Sequence, residues 1–228
     1  MKILLIDKKM KSFEKWETEE LILTFGIKPK NVMQKMQIWL EANFSCNETE
    51  QIIIDDLRNR LLYFVDYWNE QDLKSFFILP IINMIDFSKL TKYRTFMEHT
   101  FAANLKDING NEVNLRGRVE MVVATGEQRP RIPFFFLNEY KAQLKAITDP
   151  KGQLLVAMLA AQTKNNGINL PIYGMYNIGQ NFFFLILEGD EYAISKQFDA
   201  TDKQDLEKII SMLKFVKNHI ENFINQLK

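Results

Sequence analysis

The chain has 228 residues, and its 29 Lys and Arg balance its 29 Asp and Glu, so the formal net charge is zero. Hydrophobic residues make up 46% and charged residues 25% of a length that fits one large domain, which excludes wholesale disorder. No apolar run approaches the roughly 18–20 residues of a membrane span, and the first apolar stretch is too short for a secretion signal. We therefore expect a cytoplasmic protein with no membrane segment.

Residue counts exclude several catalytic classes. Cys46 is the single cysteine, and His99 and His219 are the only histidines, which leaves no disulfide within the chain and too few ligands for a multi-histidine zinc site. The sequence has neither the glycine-rich loops that bind nucleotide phosphates nor the G-x-S-x-G turn of serine hydrolases. Any chemistry is expected to use carboxylates, lysine and a hard metal ion.

The first part of the chain is predicted to be helical. Apolar residues spaced three and four apart predict helices over residues 13–25, 32–42 and 48–63. Gly26 is placed to end the first helix. Asn69 is the predicted N-cap of a fourth helix, which Pro80 must bend or interrupt. We assign residues 1–62 to a helical N-terminal region and residues 63–228 to an α/β core.

The second part of the chain alternates strands with helices. Runs of β-branched and aromatic residues predict strands over residues 95–105, 119–124, 132–142, 171–177, 182–187 and 192–198. Thr148, Asp149 and Pro150 open a predicted helix between the third and fourth strands, and a long helix over residues 199–226 closes the chain. Sequential strands followed by a crossover helix predict an α/β fold with a mixed β-sheet flanked by helices.

The end of the third predicted strand carries charged side chains among apolar ones. Glu139 and Lys141 point to one face of a strand, whereas Tyr140 points to the opposite face. Glu120 lies in an equally apolar strand one hairpin earlier. If these strands are neighbours, two carboxylates and one ammonium meet at an edge of the sheet. Two carboxylates with water satisfy Mg²⁺, and a lysine beside the metal orients water and stabilises charge on phosphorus.

This pattern resembles the PD-(D/E)xK nuclease superfamily, in which an acid on one strand precedes E-x-K on the next. The resemblance is carried by residues 115–120 (LRGRVE), 139–141 (EYK) and 149–155 (DPKGQLL), and it looks closest to the nuclease domains of type I restriction HsdR-like subunits. It implies a restriction-endonuclease-like fold, a Mg²⁺ or Mn²⁺ cofactor, and hydrolysis of DNA.

The resemblance also implies roles for individual residues. Glu120 and Glu139 would be the metal ligands, and Lys141 would be the catalytic lysine. Gln153 would match a glutamine that some branches place near the site from the crossover helix. Glu70 would match an acid that some branches add from the preceding helix.

Arginine is concentrated around the strand that bears Glu120. Phosphate contacts around the site are the function expected of Arg116, Arg118, Arg129 and Arg131. The alternative is that these arginines are solvated side chains at strand ends.

Two alternatives to a nuclease remain open from the sequence. The first is a catalytically decayed nuclease-fold interaction module without metal chemistry. The zero net charge and a glutamate, Glu120, where the family usually has aspartate both favour it. The second is a protein partner subunit with no nucleic-acid role. In either case E-x-K would be an ordinary ion pair at a strand end, which contributes little to stability.

Overall fold

The computed structural model describes residues 11–142 and 149–226. The strands are β1 Lys11–Ser12, β2 Lys28–Pro29, β3 Tyr93–Lys106, β4 Glu112–Thr125, β5 Arg131–Lys141, β6 Ile172–Ile178, β7 Asn181–Glu188, β8 Glu191–Ile194 and β9 Phe198–Asp199. The helices are α1 Thr18–Phe25, α2 Gln34–Leu40, α3 Glu48–Phe64, α4 Glu70–Leu73, α5 Leu79–Ile85, α6 Pro150–Lys164 and α7 Lys203–Gln226. A 3-10 turn at Phe13–Lys15 precedes α1, and a π-helical turn at Lys74–Ile78 joins α4 to α5.

These strands form one mixed sheet. β3, β4 and β5 are antiparallel neighbours, and α6 then crosses over to place β6 parallel to β5. β7 and β8 continue the sheet in antiparallel order, while β1 and β2 pair in parallel with β4 and β8. Among the described strands, β3 has β4 as its only partner and is therefore an edge strand. The predicted α/β class with a mixed sheet and flanking helices is confirmed.

Each face of the sheet is covered by its own hydrophobic core. On one face α6 and α1 pack against side chains such as Val122 and Leu137. On the other face α2, α3, α5 and α7 pack against side chains such as Val123 and Phe136. Alternate residues of a strand point to opposite faces, so neighbours in β4 and β5 enter different cores. Nothing among the described helices is long and apolar enough to traverse a bilayer.

Residues 11–62 contain two short strands as well as helices, and these strands belong to the sheet of the core. The two strands, β1 and β2, lie at two ends of the sheet. Trp39 of α2 lies fully buried in the core around α7, and its indole N–H donates to the carbonyl of Met212 at 2.8 Å. Strands of two residues have no periodic pattern, and their partners lie far along the chain, so a local reading of sequence does not detect them.

Three other predicted elements differ from the structure. The strand predicted over residues 119–124 is only the second half of β4, which begins at Glu112. The helix predicted over residues 13–25 is divided into the 3-10 turn and α1, and it ends at Gly26 in the left-handed conformation as expected (φ 68°). The strand predicted over residues 192–198 is two short strands, β8 and β9, which pair with different parts of β7. Thr148 lies outside the described residues.

The helix around Pro80 is interrupted one turn before the proline. Asn69 begins α4 with a capping box that involves Asp72, as its sequence predicts. The chain then widens into the π-helical turn, where the Leu79 N–H donates to the carbonyl of Lys74. Single π turns inside α-helices occur frequently at functional sites. Here the turn lies beside the ends of β4 and β5.

Candidate active site

The paired part of β4 and β5 stops at Met121 and Asn138. Glu120 and Glu139 are the next residues of β4 and β5 beyond this last pair. β1 becomes the neighbour of β4 further along, at Leu115. The sheet therefore opens between β1 and β5, and the two glutamates lie at that opening.

A pocket of about 320 Å³ occupies the opening. Residues predicted for the site that line it are Glu70, Glu120, Lys141, Gln153 and Arg118. Glu139 is only 2% exposed and contacts the pocket through Lys141. Residues from α4, β4, β5 and α6 thus meet at one point, although they are far apart in the chain.

Glu139 and Lys141 form the central ion pair. The Lys141 Nζ lies 2.9 Å from the Glu139 Oε1 and 3.9 Å from the Glu70 Oε2. Burial raises the pKa of Glu139 to about 7; Lys141 opposes this shift, and the negative charges of Glu120 and Glu70 add to it. Burial lowers the pKa of Lys141, but the carboxylates of Glu139 and Glu70 outweigh it and the net shift is upward. Lys141 is therefore a cation at neutral pH, and Glu139 is close to its midpoint of ionisation.

Glu120 is held by two groups that sequence analysis did not identify. The Tyr140 hydroxyl donates to the Glu120 Oε2 at 2.5 Å, and the Lys74 Nζ lies 3.4 Å from the same oxygen. Lys74 comes from the π-helical turn, is 6% exposed, and lies 5.2 Å from the centre of the Tyr140 ring. Its position in an amphipathic helical run gave no signal that it would be buried beside a carboxylate.

Glu98 of β3 is a further acid at the site. Its neighbours pair with β4, Met97 with Met121 and His99 with Val119, so Glu98 lies opposite Glu120. Glu98 has a positive φ of 53°, which is costly for a side chain of this kind and is concentrated at functional sites.

The Glu98 carboxylate bridges two cations. Its Oε1 lies 2.7 Å from the Lys74 Nζ, and its Oε2 forms an ion pair with Arg118. Its hydrogen bond and charge attraction to Lys74, together with the charge of Arg118, lower the pKa of Glu98. A strand pattern alone does not distinguish such a residue from an ordinary solvated glutamate.

Gln153 lies in the first turn of α6 and is 4% exposed. Its Oε1 is buried and has no hydrogen-bond donor among the described residues. The start of α6 is fixed against α1, because Asp149 accepts hydrogen bonds from the Thr18 N–H at 2.8 Å and from the Thr18 hydroxyl at 2.6 Å. Buried acceptors in folded proteins nearly always have a partner. The Gln153 oxygen is thus a buried acceptor to which none of the described residues donates.

The donor set fits a hard divalent cation. Glu120 and Glu139 offer carboxylate oxygens and Gln153 offers a free amide oxygen, which are the ligands that Mg²⁺ takes together with water. Within the described ranges, no three His, Cys, Asp or Glu side chains are grouped to hold a metal ion by themselves. A site with two carboxylates therefore suits an ion that keeps much of its water, and it does not suit zinc.

The predicted phosphate-binding arginines are divided between two places. Arg118 lines the pocket, and Arg116 lies two residues before it on β4. Arg129 and Arg131 are not brought to the pocket: Arg131 pairs with Thr125 at the other end of β4. They line a separate depression of about 510 Å³.

No protein-family model matches this chain, and no curated protein matches it in sequence. The fold and the site define the chain as an α/β protein with a pocket of carboxylates and lysines at an opening in a mixed sheet.

Proposed function

We propose that the chain is a Mg²⁺- or Mn²⁺-dependent nuclease of the PD-(D/E)xK type that hydrolyses phosphodiester bonds in DNA. The observation that carries this proposal is the juxtaposition of Glu120 with Glu139 and Lys141 where the β4–β5 ladder ends. In this proposal the acid of one strand and the E-x-K of the next belong to one site at the opening of the sheet.

The order of elements supports a restriction-endonuclease-like fold. Three antiparallel strands, β3 to β5, are followed by the crossover helix α6 and by β6, which is parallel to β5. The candidate ligands lie on the second and third of these strands, and Gln153 lies at the start of the crossover helix. This is the arrangement that the resemblance to the superfamily implies.

The proposed chemistry assigns a role to each group. Glu120, Glu139 and the Gln153 amide oxygen would hold the cation, whose contribution when bound is to polarise a phosphoryl oxygen and to favour ionisation of water. Lys141 stays protonated because its carboxylate neighbours raise its pKa. It therefore donates hydrogen bonds to the attacking water and to the charged phosphate oxygens and does not act as a base. Glu70 and Glu139 hold its ammonium in position.

Cleavage of DNA tests the proposal directly. Supercoiled plasmid and single-stranded DNA are incubated with the protein in Mg²⁺ or Mn²⁺, beside the variants Lys141→Ala and Glu120→Gln. We expect metal-dependent cleavage that both substitutions abolish. Lys106→Ala removes an exposed lysine from the far end of β3 and serves as the matched control with unchanged activity. Absence of cleavage with either metal, or cleavage that survives Lys141→Ala, would refute the proposal.

A decayed nuclease-fold interaction module is the second candidate. The observation that favours it is that one oxygen of Glu120, Oε2, is already engaged by the Tyr140 hydroxyl and the Lys74 ammonium. Calorimetric titration with Mn²⁺ separates the two candidates. Binding that is lost in Glu120→Gln supports the nuclease, and no binding by the unaltered protein supports the module.

A further inference from the structure

A patch of basic side chains lies at the end of β3 and β4 that is remote from the candidate active site. Its members, which we call the basic patch, are Lys89, Lys92, Arg94, Arg129 and Arg131. All are exposed except Lys92, which is half-buried. Within residues 11–142 and 149–226, none of the five forms an ion pair. Glu127 is the one described carboxylate among the residues that line the two depressions here.

This patch departs from the charge balance of the rest of the chain. The formal net charge is zero, and several lysines elsewhere on the surface are paired with acids, as in Lys28–Asp190, Lys30–Glu191 and Lys35–Glu188. A concentration of uncompensated cations on a neutral protein produces a local positive potential that attracts polyanions. Clustered Arg and Lys on one face are also the electrostatic signature of a nucleic-acid contact.

Two adjoining depressions, which together we call the groove, follow β3 from the basic patch toward the candidate active site. Ser88 and Arg94 line both the depression at the patch and the next one, which follows β3 as far as Met97. Glu98, the next residue of the chain, lines the active-site pocket. The groove runs beside the unpaired edge of β3, with α5 forming its other wall.

The distance along β4 between the active-site pocket and the basic patch sets the spacing of the two phosphate contacts. Glu120 and Thr125, which pairs with Arg131, are separated by five residues of β4, or about 17 Å at the usual rise of a strand. Phosphates along one strand of duplex DNA are about 3.4 Å apart in the direction of the axis. About five base pairs cover this distance along the axis, and they also turn each backbone about half way round the duplex, so the phosphates at the patch belong to the strand that faces the protein there.

We propose that the basic patch binds the phosphate backbone of a DNA duplex whose scissile bond lies in the active-site pocket, about 17 Å away along β4. The position of the scissile bond rests on the proposed function, whereas backbone binding at the patch requires neither metal nor cleavage. The groove, which runs along β3 toward the pocket, is the reason for assigning the patch to a nucleic acid, since a flat membrane surface would not follow it.

Binding without metal tests the patch. A fluorescein-labelled duplex of about 20 base pairs, long enough to span the separation, is titrated in EDTA with the full chain and read by fluorescence anisotropy at several salt concentrations. The test variant is Arg129→Ala/Arg131→Ala. The control, Lys28→Ala/Lys106→Ala, removes the same charge from other surfaces. Both arginines are exposed side chains outside the hydrophobic cores, and thermal unfolding checks that the variants fold.

We expect the arginine variant to raise Kd about tenfold or more and to reduce the slope of log Kd against log salt by about two, one for each lost phosphate contact. The control should remain within about twofold of the unaltered protein. No salt-dependent binding by the unaltered protein, or equal losses in both variants, would overturn the proposal. So would binding of phosphatidylserine vesicles with no binding of the duplex.

The outcomes also separate this inference from the proposed nuclease activity. Patch-dependent binding without cleavage in any metal would leave the patch standing and refute the nuclease. Metal-dependent cleavage that Arg129→Ala/Arg131→Ala leaves unchanged, together with unchanged binding, would refute the patch and leave the nuclease standing.

Discussion

The hydroxyl of Tyr140 donates to the Glu120 carboxylate across a distance of 2.5 Å, although Tyr140 and its neighbour Glu139 leave β5 on opposite faces. Tyr140 belongs to the core around α5 and α7, whereas Glu139 faces the side of α6. The contact is possible because β4 and β5 are no longer paired at this point. Tyr140 therefore connects the Glu120 carboxylate to the hydrophobic core around α5 and α7.

Removal of that hydroxyl should lower stability measurably. Tyr140→Phe keeps the buried ring and deletes one charge-assisted hydrogen bond, so we expect the free energy of unfolding in urea to fall by about 1–2 kcal/mol. Tyr63→Phe is the matched control, because Tyr63 is 73% exposed and should change stability by less than about 0.5 kcal/mol. Equal effects of the two substitutions would mean that the contact to Glu120 is not formed in solution.

Glu139 should make stability fall as the pH rises through neutrality. Its pKa in the folded protein is raised to about 7 from an ordinary value of 4.5. Between these values the folded state retains a proton that the unfolded state has lost, so the contribution of Glu139 to stability is complete below about pH 4.5 and is lost as the pH rises to about 7. Glu139→Gln removes the titration. The difference in unfolding free energy between variant and unaltered protein should therefore change by up to about 1.4 kcal/mol per pH unit in this window.

The same titration gives a prediction for metal binding. A divalent cation competes with the proton for the Glu139 carboxylate, so the apparent affinity for Mn²⁺ should rise with pH up to about pH 7 and then level off. Calorimetry in two buffers of different ionisation enthalpy would detect the released proton. An affinity that does not vary between pH 5.5 and 7.5 would contradict a role for Glu139 as a ligand.

Substitution of Lys74 should lower the free energy of unfolding more than substitution of a surface lysine. Lys74→Met keeps a long side chain in the π-helical turn but leaves Glu98 and Glu120 without their shared cation. Both acids are partly exposed, so solvent screening reduces the cost to about 2 kcal/mol. Lys30→Met breaks an exposed pair with Glu191 and should cost less than about 1 kcal/mol. Urea unfolding measures both, and a smaller loss for Lys74→Met than for Lys30→Met would contradict the buried bridge.

Gly152→Ala should lower the stability of the protein, although helix propensity alone predicts an increase. Alanine in a helix is ordinarily more stable than glycine by about 1 kcal/mol. Here a Cβ would lie 2.5 Å from the Trp16 carbonyl oxygen and 2.8 Å from the Thr18 nitrogen. Both are backbone atoms that cannot move without shifting α1, so we expect destabilisation of about 2–3 kcal/mol. A rise in melting temperature would show that α1 and α6 are less closely packed than described.

The sequence predicts the sheet and the crossover helix well because their signals are local. Alternation and β-branched runs mark β3 to β7, and the Asp149–Pro150 start marks α6. The convergence of Glu120, Glu139 and Lys141 required one further assumption, that β4 and β5 are neighbours, and the turn between them is short enough to make that assumption sound.

The rest of the site depends on contacts that no local pattern encodes. Lys74 contacts Glu120 from a π turn and also pairs with Glu98, a strand residue with positive φ. Neither feature has a local sequence signature. Arg129 and Arg131 are close to Glu120 in sequence, but the length of β4 carries them to the opposite end of the sheet. The prediction that Arg129 and Arg131 lie at the site is therefore wrong, because a strand separates its two ends by about 3.3 Å per residue.

The π-helical turn has a consequence for how this chain tolerates change. Its widened backbone contains one residue more than a regular helix needs, and each residue rotates a helix by about 100°. Deletion of Ser75 would relieve the widening yet turn Lys74 and α4 away from β4. Deletion of one residue in this segment would therefore break the ion pairs of Lys74 with Glu98 and Glu120, although every charged residue would still be present.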